Sequence, residues 1–431
     1  MGCLKNVQLI VNNDLCIGCG VCEVICPNSA IKMSYDDNSG TLFPFVDRQK
    51  CSLCSVCLNV CYSYKADPTL DVKLFGRREY SITGNYLKSY VGFGTDKVMR
   101  FNSTSGGVIT ALLIHALEEN LIDGVIITKT DTNNVPMARA FVATTVEQVI
   151  SASGSKYAPV SLAECLGTLE NGKRYAIVGL PCHIYSVRKL AEYSSEYRSI
   201  HFYFGVLCGG LPKYIGTEYL LKAYGMDKRK ITHLEYRGNG WPGKLLIQSD
   251  EPAPQKTVSI SYPAYWQGVF GYFCHYRCTL CEDGFNKLSD ISFGDAWLSD
   301  IQKKDREGTS LILTRTENGE RLVQSAVQKK CIEITAITDK AVLTAQKGLL
   351  HFKEENLKAR IELSKLRRRD LPLLDVSRLP NATYNSYLAA MDLYIGELLA
   401  SRKKFWWFLN LFTLSKRYMG YLLHKFKELI S

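Results

Sequence analysis

Residues 174–193, RYAIVGLPCHIYSVRKLAEY, hold the two patterns that decide the fold. RYAIVGL is a short apolar run of strand type, and HIYSVRKLAEY has the length and mixed character of a helix, so the chain turns from strand to helix across Leu180, Pro181 and Cys182. Working upstream, ITALLIHALEEN (109–120) reads as a helix after a Ser/Gly turn, GVIITKT (124–130) and ARAFVATT (138–145) as strands, and SLAECLGTLEN (161–171) as a helix. Downstream, SIHFYFGVLC (199–208) reads as a further strand that ends in Cys208. Strands alternating with helices of about 10–15 residues predict an α/β domain with a largely parallel sheet. In such sheets ligands gather where strands end and helices begin, and Cys182 and Cys208 both stand there. The segment CHYRCTLCEDGF adds Cys274, Cys278 and Cys281.

The whole chain has 431 residues, 46% apolar and 22% charged, which suits two or three packed domains and excludes a disordered protein. Net charge is +11, and 356–431 alone carries 14 basic against 6 acidic side chains, so the excess is concentrated near the C-terminus. The first residues lack the basic stretch and long apolar run of a secretory signal, and Asn6 stands where a myristoylation site wants Ser or Thr. No stretch approaches the ~18–20 apolar residues of a membrane span. These features predict a soluble, cytoplasmic chain whose thiols stay reduced or bind metal.

Of its 16 cysteines, eight lie between Cys16 and Cys61. CIGCGVCEVICP sets Cys16, Cys19, Cys22 and Cys26 at C-x2-C-x2-C-x3-C with Pro27 next, and CSLCSVCLNVC repeats the spacing with Cys51, Cys54, Cys57 and Cys61. Gaps of two residues let a tight turn present successive sulfurs to one group while its amides face inward, and Gly18 and Gly20 suit that close approach. A structural zinc site is the alternative, but it is built on two CxxC pairs and has no use for a third Cys in each run. The spacing resembles that of bacterial two-cluster ferredoxins over about 9–68, although Tyr62 stands where the second run often has Pro. That resemblance implies an α+β ferredoxin-like module over 1–70, with Cys16, Cys19, Cys22 and Cys61 on one [4Fe-4S] cluster and Cys51, Cys54, Cys57 and Cys26 on a second.

Beyond the module, 70–100 reads as a linker. Ser103, Thr104, Ser105, Gly106 and Gly107 then precede a helical stretch, an arrangement that suits an anion such as a nucleotide or flavin phosphate; the alternative is a plain Ser/Thr helix cap. The ordered motifs STSGGV, GSKY (154–157), GLPCH, GVLCGG, EYRGNGWPG, RCTLCED and SDISFGDAW resemble the beta subunit of coenzyme F-420 hydrogenases and dehydrogenases over about 90–350, and the related 7-hydroxymethyl chlorophyll a reductase. The resemblance implies FAD and a third [4Fe-4S] cluster, with Cys182, Cys208, Cys278 and Cys281 as its ligands and Cys274 as the spare. It also points to residues 103–107, Lys156 and Tyr157 as FAD contacts, with Lys156 meeting phosphate or the flavin edge. Buried inert thiols at Cys182 and Cys208, and an ordinary surface role for Lys156, are the alternatives.

Arg237, Trp241, Gly243, Asp290 and Asp295 are read as structural, and Cys3, Cys165 and Cys331 as inert. The histidines show neither zinc spacing nor a Ser-His-Asp arrangement, and no catalytic residue is identified. Residues 351–431 read as a basic helical tail. Its Phe405, Trp406, Trp407, Phe408, Phe412, Tyr418 and Tyr421 among basic side chains fit either a peripheral site on an anionic membrane face or a helix packed on protein. It lacks a nucleic-acid reader motif, so no nucleic-acid partner is expected. The expectation is an iron-sulfur flavoprotein oxidoreductase of F-420 type over 71–350, exchanging electrons with a ferredoxin, hydrogenase or reductase partner and hydride with a deazaflavin or another organic substrate. The rival is a non-catalytic electron-transfer or assembly subunit docked to a partner.

Overall fold

The computed structural model describes residues 5–130, 137–250, 256–268, 270–369, 372 and 376–416. The strands are β1 (Ile31–Asp36), β2 (Thr41–Val46), β3 (Lys88–Gly94), β4 (Gly124–Thr130), β5 (Ala138–Ala143), β6 (Tyr175–Gly179), β7 (Ile200–Val206), β8 (Ile231–Glu235), β9 (Lys244–Ser249), β10 (Lys256–Ser261), β11 (Ile291–Asp295), β12 (Ser310–Thr314) and β13 (Ile332–Ala336). Eight of them form one sheet in the order β13-β3-β12-β11-β7-β6-β4-β5. Four adjacent strands, β11, β7, β6 and β4, are mutually parallel, with Phe204 opposite Ile291 and Ile177 opposite both Tyr203 and Ile126. The remaining pairings, β4 with β5, β11 with β12, and β3 with both β12 and β13, are antiparallel. The expected largely parallel sheet is therefore corrected to a mixed one, parallel at its centre and antiparallel on both flanks.

The pleat sends alternate side chains to opposite faces, and both faces are covered. Ile126 and Ile177 join the helix Pro181–Tyr193 in one core, while Val125, Ile127 and Ala176 join the helices Val108–Glu118 and Glu317–Gln328 in the other. The helix Pro181–Tyr193 begins on Pro181, whose fixed φ and missing N–H suit a first helical position. Two readings of the sequence are corrected. SLAECLGTLEN forms only the single turn Ala163–Leu166, which stops at Gly167. The stretch read as a linker contains the helix Thr69–Phe75 and β3, a strand inside the sheet between β12 and β13.

The N-terminal segment is a hairpin of β1 and β2, with Ile31 opposite Val46, and two one-turn helices, Val21–Val24 and Val56–Asn59. Left-handed residues, Gly20 and Ser55, start these helices, so the two cysteine runs turn alike. The segment is not a free lobe. Val21 and Val60 are buried with the core of the large sheet, and Ile10, Cys22 and Cys57 pack with Tyr276, Leu280, Leu357 and Ile361.

A second antiparallel sheet, β10-β9-β8, packs with the helix Tyr384–Ala400 and with Trp406 and Leu409 of a helical stretch over 406–416. The tail is thus seated on the protein through Trp406, whose indole N–H donates to the Ala400 carbonyl at 3.1 Å, while Trp407 and Phe408 on the same turns are exposed. Tyr418, Tyr421 and the basic residues around them lie outside the described residues. No helix among the described residues is long and apolar enough to cross a membrane.

Candidate functional site

Three groups of thiols come together. Cys16, Cys19, Cys22 and Cys61 line one apolar cavity beneath Met33 and Pro44. Burial pushes all four thiols up, and the negative charges of their neighbours in the group reinforce the shift at Cys16, Cys22 and Cys61. The amide of Gly18 donates to Cys16 Sγ at 3.4 Å, and Gly18 can present it because its φ of +78° opens the turn; a Cβ there would lie 2.8 Å from the Leu42 carbonyl oxygen.

The second group lies nearer the surface. Burial and the charges of Cys54, Cys26 and Cys51 push the Cys57 thiol up. Exposed Cys54 is instead lowered by the backbone N–H of Val56. Ala30 N donates to Cys26 Sγ at 3.3 Å, and Asn6 Nδ2 to Cys51 Sγ at 3.4 Å. The groups adjoin, for Cys22 also feels Cys57.

The third group is assembled by the sheet. Cys182 opens the helix after β6, and Cys208 follows β7, its parallel neighbour. Asn286 ties the two strand ends by donating to the carbonyls of Gly179 at 2.8 Å and Val206 at 3.2 Å. Cys208 N donates to the Gly284 carbonyl at 2.9 Å, which brings the Cys278–Cys281 turn alongside. Burial raises Cys182, and Cys208, Cys278, Cys19 and Cys281 push it further; Cys208 rises to about 12 through burial and the charges of Cys278 and Cys281, against the opposing field of Lys353. The Leu211 amide donates to Cys278 Sγ at 3.4 Å. Cys274, half-buried, also feels the charges of Cys278 and Cys208, so the spare thiol stands at the same place. Cys19 and Cys182 pack in one cluster, so the first group adjoins the third.

Three cations that sequence reading missed are buried here. Lys353 donates to the Cys278 carbonyl at 3.3 Å, and Arg360 to the Thr279 carbonyl at 2.6 Å. Burial opposes the Lys353 charge, but Cys281, Cys208 and Cys278 outweigh it and hold its pKa up. Arg277 is 2% exposed, with Nε and Nη1 buried and without a hydrogen-bond partner. A guanidinium in that state calls for a negative neighbour. Arg277 sits between two of the cysteines, a signal that was readable; Lys353 and Arg360 look like the polar face of any helix.

Among the described residues no three His, Cys, Asp or Glu side chains close on a single metal ion. Zinc needs four ligands at about 2.0–2.3 Å, whereas the cavity rimmed by Cys16, Cys19, Cys22 and Cys61, with the Gly18 amide on Cys16, suits a larger group such as a cubane.

Residues 103–107, Lys156 and Tyr157, named from sequence, form a separate neighbourhood joined by the Thr104–Ser155 bond. Ser103 Oγ donates to the Met99 carbonyl at 2.7 Å, closing the preceding helix. Thr104 Oγ1 accepts from Ser155 N at 2.9 Å, and Ser105 Oγ pairs with Ser310 Oγ at 2.7 Å. The helix Val108–Glu118 therefore starts at Gly107, φ +71°, with no side-chain cap. The hydroxyls of 103–105 thus hold loops together rather than cap this helix, and the Gly106 amide donates to Ser310 Oγ at 3.0 Å. Lys156 is no surface lysine. Its ammonium donates to the carbonyls of Ala152, Ser153 and Gly154 at 2.5, 2.7 and 3.0 Å, and burial lowers it to about 8. Its charge closes its own loop, beside 103–107 through the Thr104–Ser155 bond. Tyr157 joins an aromatic group with Tyr236, Tyr262, Trp266 and Phe270.

At the rim, Arg237 makes a two-point bond to Asp295 at 2.8 and 2.6 Å, and Trp241 Nε1 donates to Asp295 at 2.7 Å. Asp290 lies at the other end of β11, paired with Arg188 at 3.0 Å. Both aspartates thus have structural partners.

Residues 15–64 match the family described as 4Fe-4S dicluster domain. Residues 89–167 and 172–340 match the N-terminal and C-terminal parts of coenzyme F420 hydrogenase/dehydrogenase, beta subunit. The chain is similar to the coenzyme F420 hydrogenase subunit beta of Methanococcus voltae, 29% identical over 296 residues that cover 66% of this chain and 97% of that one. It is also similar to the coenzyme F420-dependent sulfite reductase of Methanocaldococcus jannaschii, 24% identical over 362 residues, covering 80% of this chain and about half, 51%, of that protein. A chain of the F420-reducing [NiFe] hydrogenase complex from Methanosarcina barkeri shares the fold, with a TM-score of 0.51 and 19% identity over 72% of this chain and 100% of that one. With a dicluster domain ahead of both matched parts, the chain belongs to the coenzyme F420 hydrogenase/dehydrogenase beta subunit family.

Proposed function

We propose that the chain is an iron-sulfur flavoprotein oxidoreductase in which electrons move between an outer protein partner and an organic substrate, a deazaflavin of the coenzyme F420 type or a compound reduced in its place. The observation that carries this reading is the succession of thiol groups from exposed Cys54, through Cys57 and Cys22, to Cys19 and half-buried Cys182. A ferredoxin-like module over 1–70 would hold two clusters on Cys16, Cys19, Cys22 and Cys61 and on Cys51, Cys54, Cys57 and Cys26. Cys182, Cys208, Cys278 and Cys281 would hold the third. When bound, cubanes supply one-electron transfer, and FAD supplies the exchange between single electrons and hydride.

The chain's own part is electrostatic and positional. Arg277, Lys353 and Arg360 offset the negative charge gathered at the third group, and the surrounding apolar core keeps water from it. The uncapped start of the helix Val108–Glu118 offers amides to a flavin phosphate, with Lys156 stiffening the loop beside it rather than touching the ligand. Tyr157 and its aromatic neighbours give the adjoining wall a flat, apolar surface.

A second reading rests on the exposed apolar side chains of the helix Tyr384–Ala400 (Leu388, Met391, Ile395 and Leu398), which fit a chain that relays electrons within a larger complex. Iron and flavin content after anaerobic purification separates the two. The expected values are ~12 iron and about one FAD per chain, falling to ~8 iron in Cys278→Ser. About 8 iron in both proteins with no flavin would leave a docking subunit with a two-cluster module.

A further inference from the structure

The cysteine runs differ at the residue after their fourth cysteine: Cys26 is followed by Pro27 and Cys61 by Tyr62. Proline has no side-chain donor. The Tyr62 hydroxyl, by contrast, reaches across to the other thiol group and stands 3.5 Å from Cys281 Sγ. Its ring is 6% exposed and is fixed on both sides, by Tyr185 at a centroid distance of 5.1 Å and by the Arg277 guanidinium 4.8 Å over the ring. Arg277 Nη2 also donates to the Tyr62 carbonyl at 3.4 Å, and Cys182 and Cys281 pack against Tyr62 in one apolar cluster. Cys281 Sγ also donates to the Asp283 carbonyl at 3.5 Å, an oxygen that cannot itself donate.

We propose that Tyr62 is a positioning residue that donates its hydroxyl hydrogen bond to the Cys281 sulfur and thereby raises the midpoint potential of the cluster on Cys182, Cys208, Cys278 and Cys281. This rests on the reading of those four thiols as a cluster site. A donor to a ligand sulfur stabilises the more negative, reduced cluster more than the oxidised one, so its presence makes reduction easier. Because Tyr62 is covalently next to Cys61, the donor is held by one group and acts on the other. The inner cluster is thereby biased to receive electrons from the outer two, and the fused module becomes part of the third site's own environment.

The test is anaerobic potentiometry of the full chain followed by electron paramagnetic resonance, with iron content measured on each protein. Tyr62→Phe keeps the ring between Tyr185 and Arg277 and removes only the hydroxyl. It is expected to shift the third midpoint negative, with iron content and the other two midpoints unchanged. A fluorotyrosine at position 62, a stronger donor of the same shape, is expected to shift it positive. Tyr185→Phe is the control, because its hydroxyl is engaged elsewhere, donating to the Lys65 carbonyl and accepting from Asp67 N, each at 2.9 Å. An unmoved third midpoint in both Tyr62 variants, or an equal shift in Tyr185→Phe, overturns the proposal. Failure of the underlying reading looks different: Cys281→Ser would hold as much iron as the parent, which removes the proposal together with the third cluster.

Discussion

Cys51, Cys54 and Cys57 lie within seven residues and are gathered by one turn, whereas Cys182, Cys208 and Cys278 are spread over about a hundred residues and meet because β6 and β7 are parallel neighbours ending side by side. The first kind of site needs short gaps and glycine-type turns. The second needs the whole sheet, Asn286 across its strand ends, and cations delivered from residues far along the chain. A locally encoded site should tolerate damage to the large domain, and a topologically encoded one should fail with its supports.

The largest expected effect is on cofactor content. Cys57→Ser and Cys208→Ser should each lose ~4 iron, and the iron remaining should show the spectrum of the group left intact. Loss from both groups in either variant would break the separation drawn here. Next comes the rim of the central domain. Asp295→Ala leaves the buried Arg237 guanidinium without its carboxylate and Trp241 without an acceptor, and should cost about 4 kcal/mol in denaturant unfolding. Iron on the N-terminal groups of the folded variant should be unchanged.

Lys353→Met removes a cation buried against the third group and should cost about 3 kcal/mol, with faster iron loss under chelator from that group alone. The smallest effect is a pH dependence at the helix Tyr384–Ala400. Burial raises the Glu397 carboxyl from 4.5 to about 7, and its Oε1 is buried without a partner. The folded state thus holds a proton that the unfolded state releases, so the stability it brings is present below pH 4.5 and is lost as pH rises through 7. Glu397→Gln should flatten this fall and exceed the parent by about 2 kcal/mol at pH 8, read from denaturant midpoints between pH 5 and 8.

The same contrast explains what was legible in the sequence. Both cysteine runs were readable because the thiols they gather are close in sequence, and the strands β4, β5, β6 and β7 because each is a short segment dominated by apolar and aromatic residues. β3 was not, since SYVGFG carries two glycines and sits in a stretch rich in Lys, Arg and Gly, although Tyr90 and its neighbours pair with β12 and β13. The antiparallel flanks were equally hidden, because strand direction is fixed by how distant segments pair and not by composition. Lys156 could be named but not aimed: only the fold shows that its ammonium turns back on Ala152, Ser153 and Gly154. The boundary at residue 350 divided the tail from the domain, yet Lys353, Leu357 and Arg360 lie beyond it and pack against the thiol-bearing segments.

That last placement sets an order of maturation. A ribosome making this chain has completed the eight cysteines of the two runs by residue 61, so scaffold proteins can deliver iron and sulfide there while most of the sheet is unmade. The inner site is different: its last thiol arrives at residue 281, and its cover of Lys353 and Arg360 still later. On the proposed reading of these thiols as a cluster site, insertion there falls in the interval between Cys281 and the docking of 351–366, or else requires that segment to lift. Cells short of iron should therefore accumulate chains loaded at the front and bare at the centre.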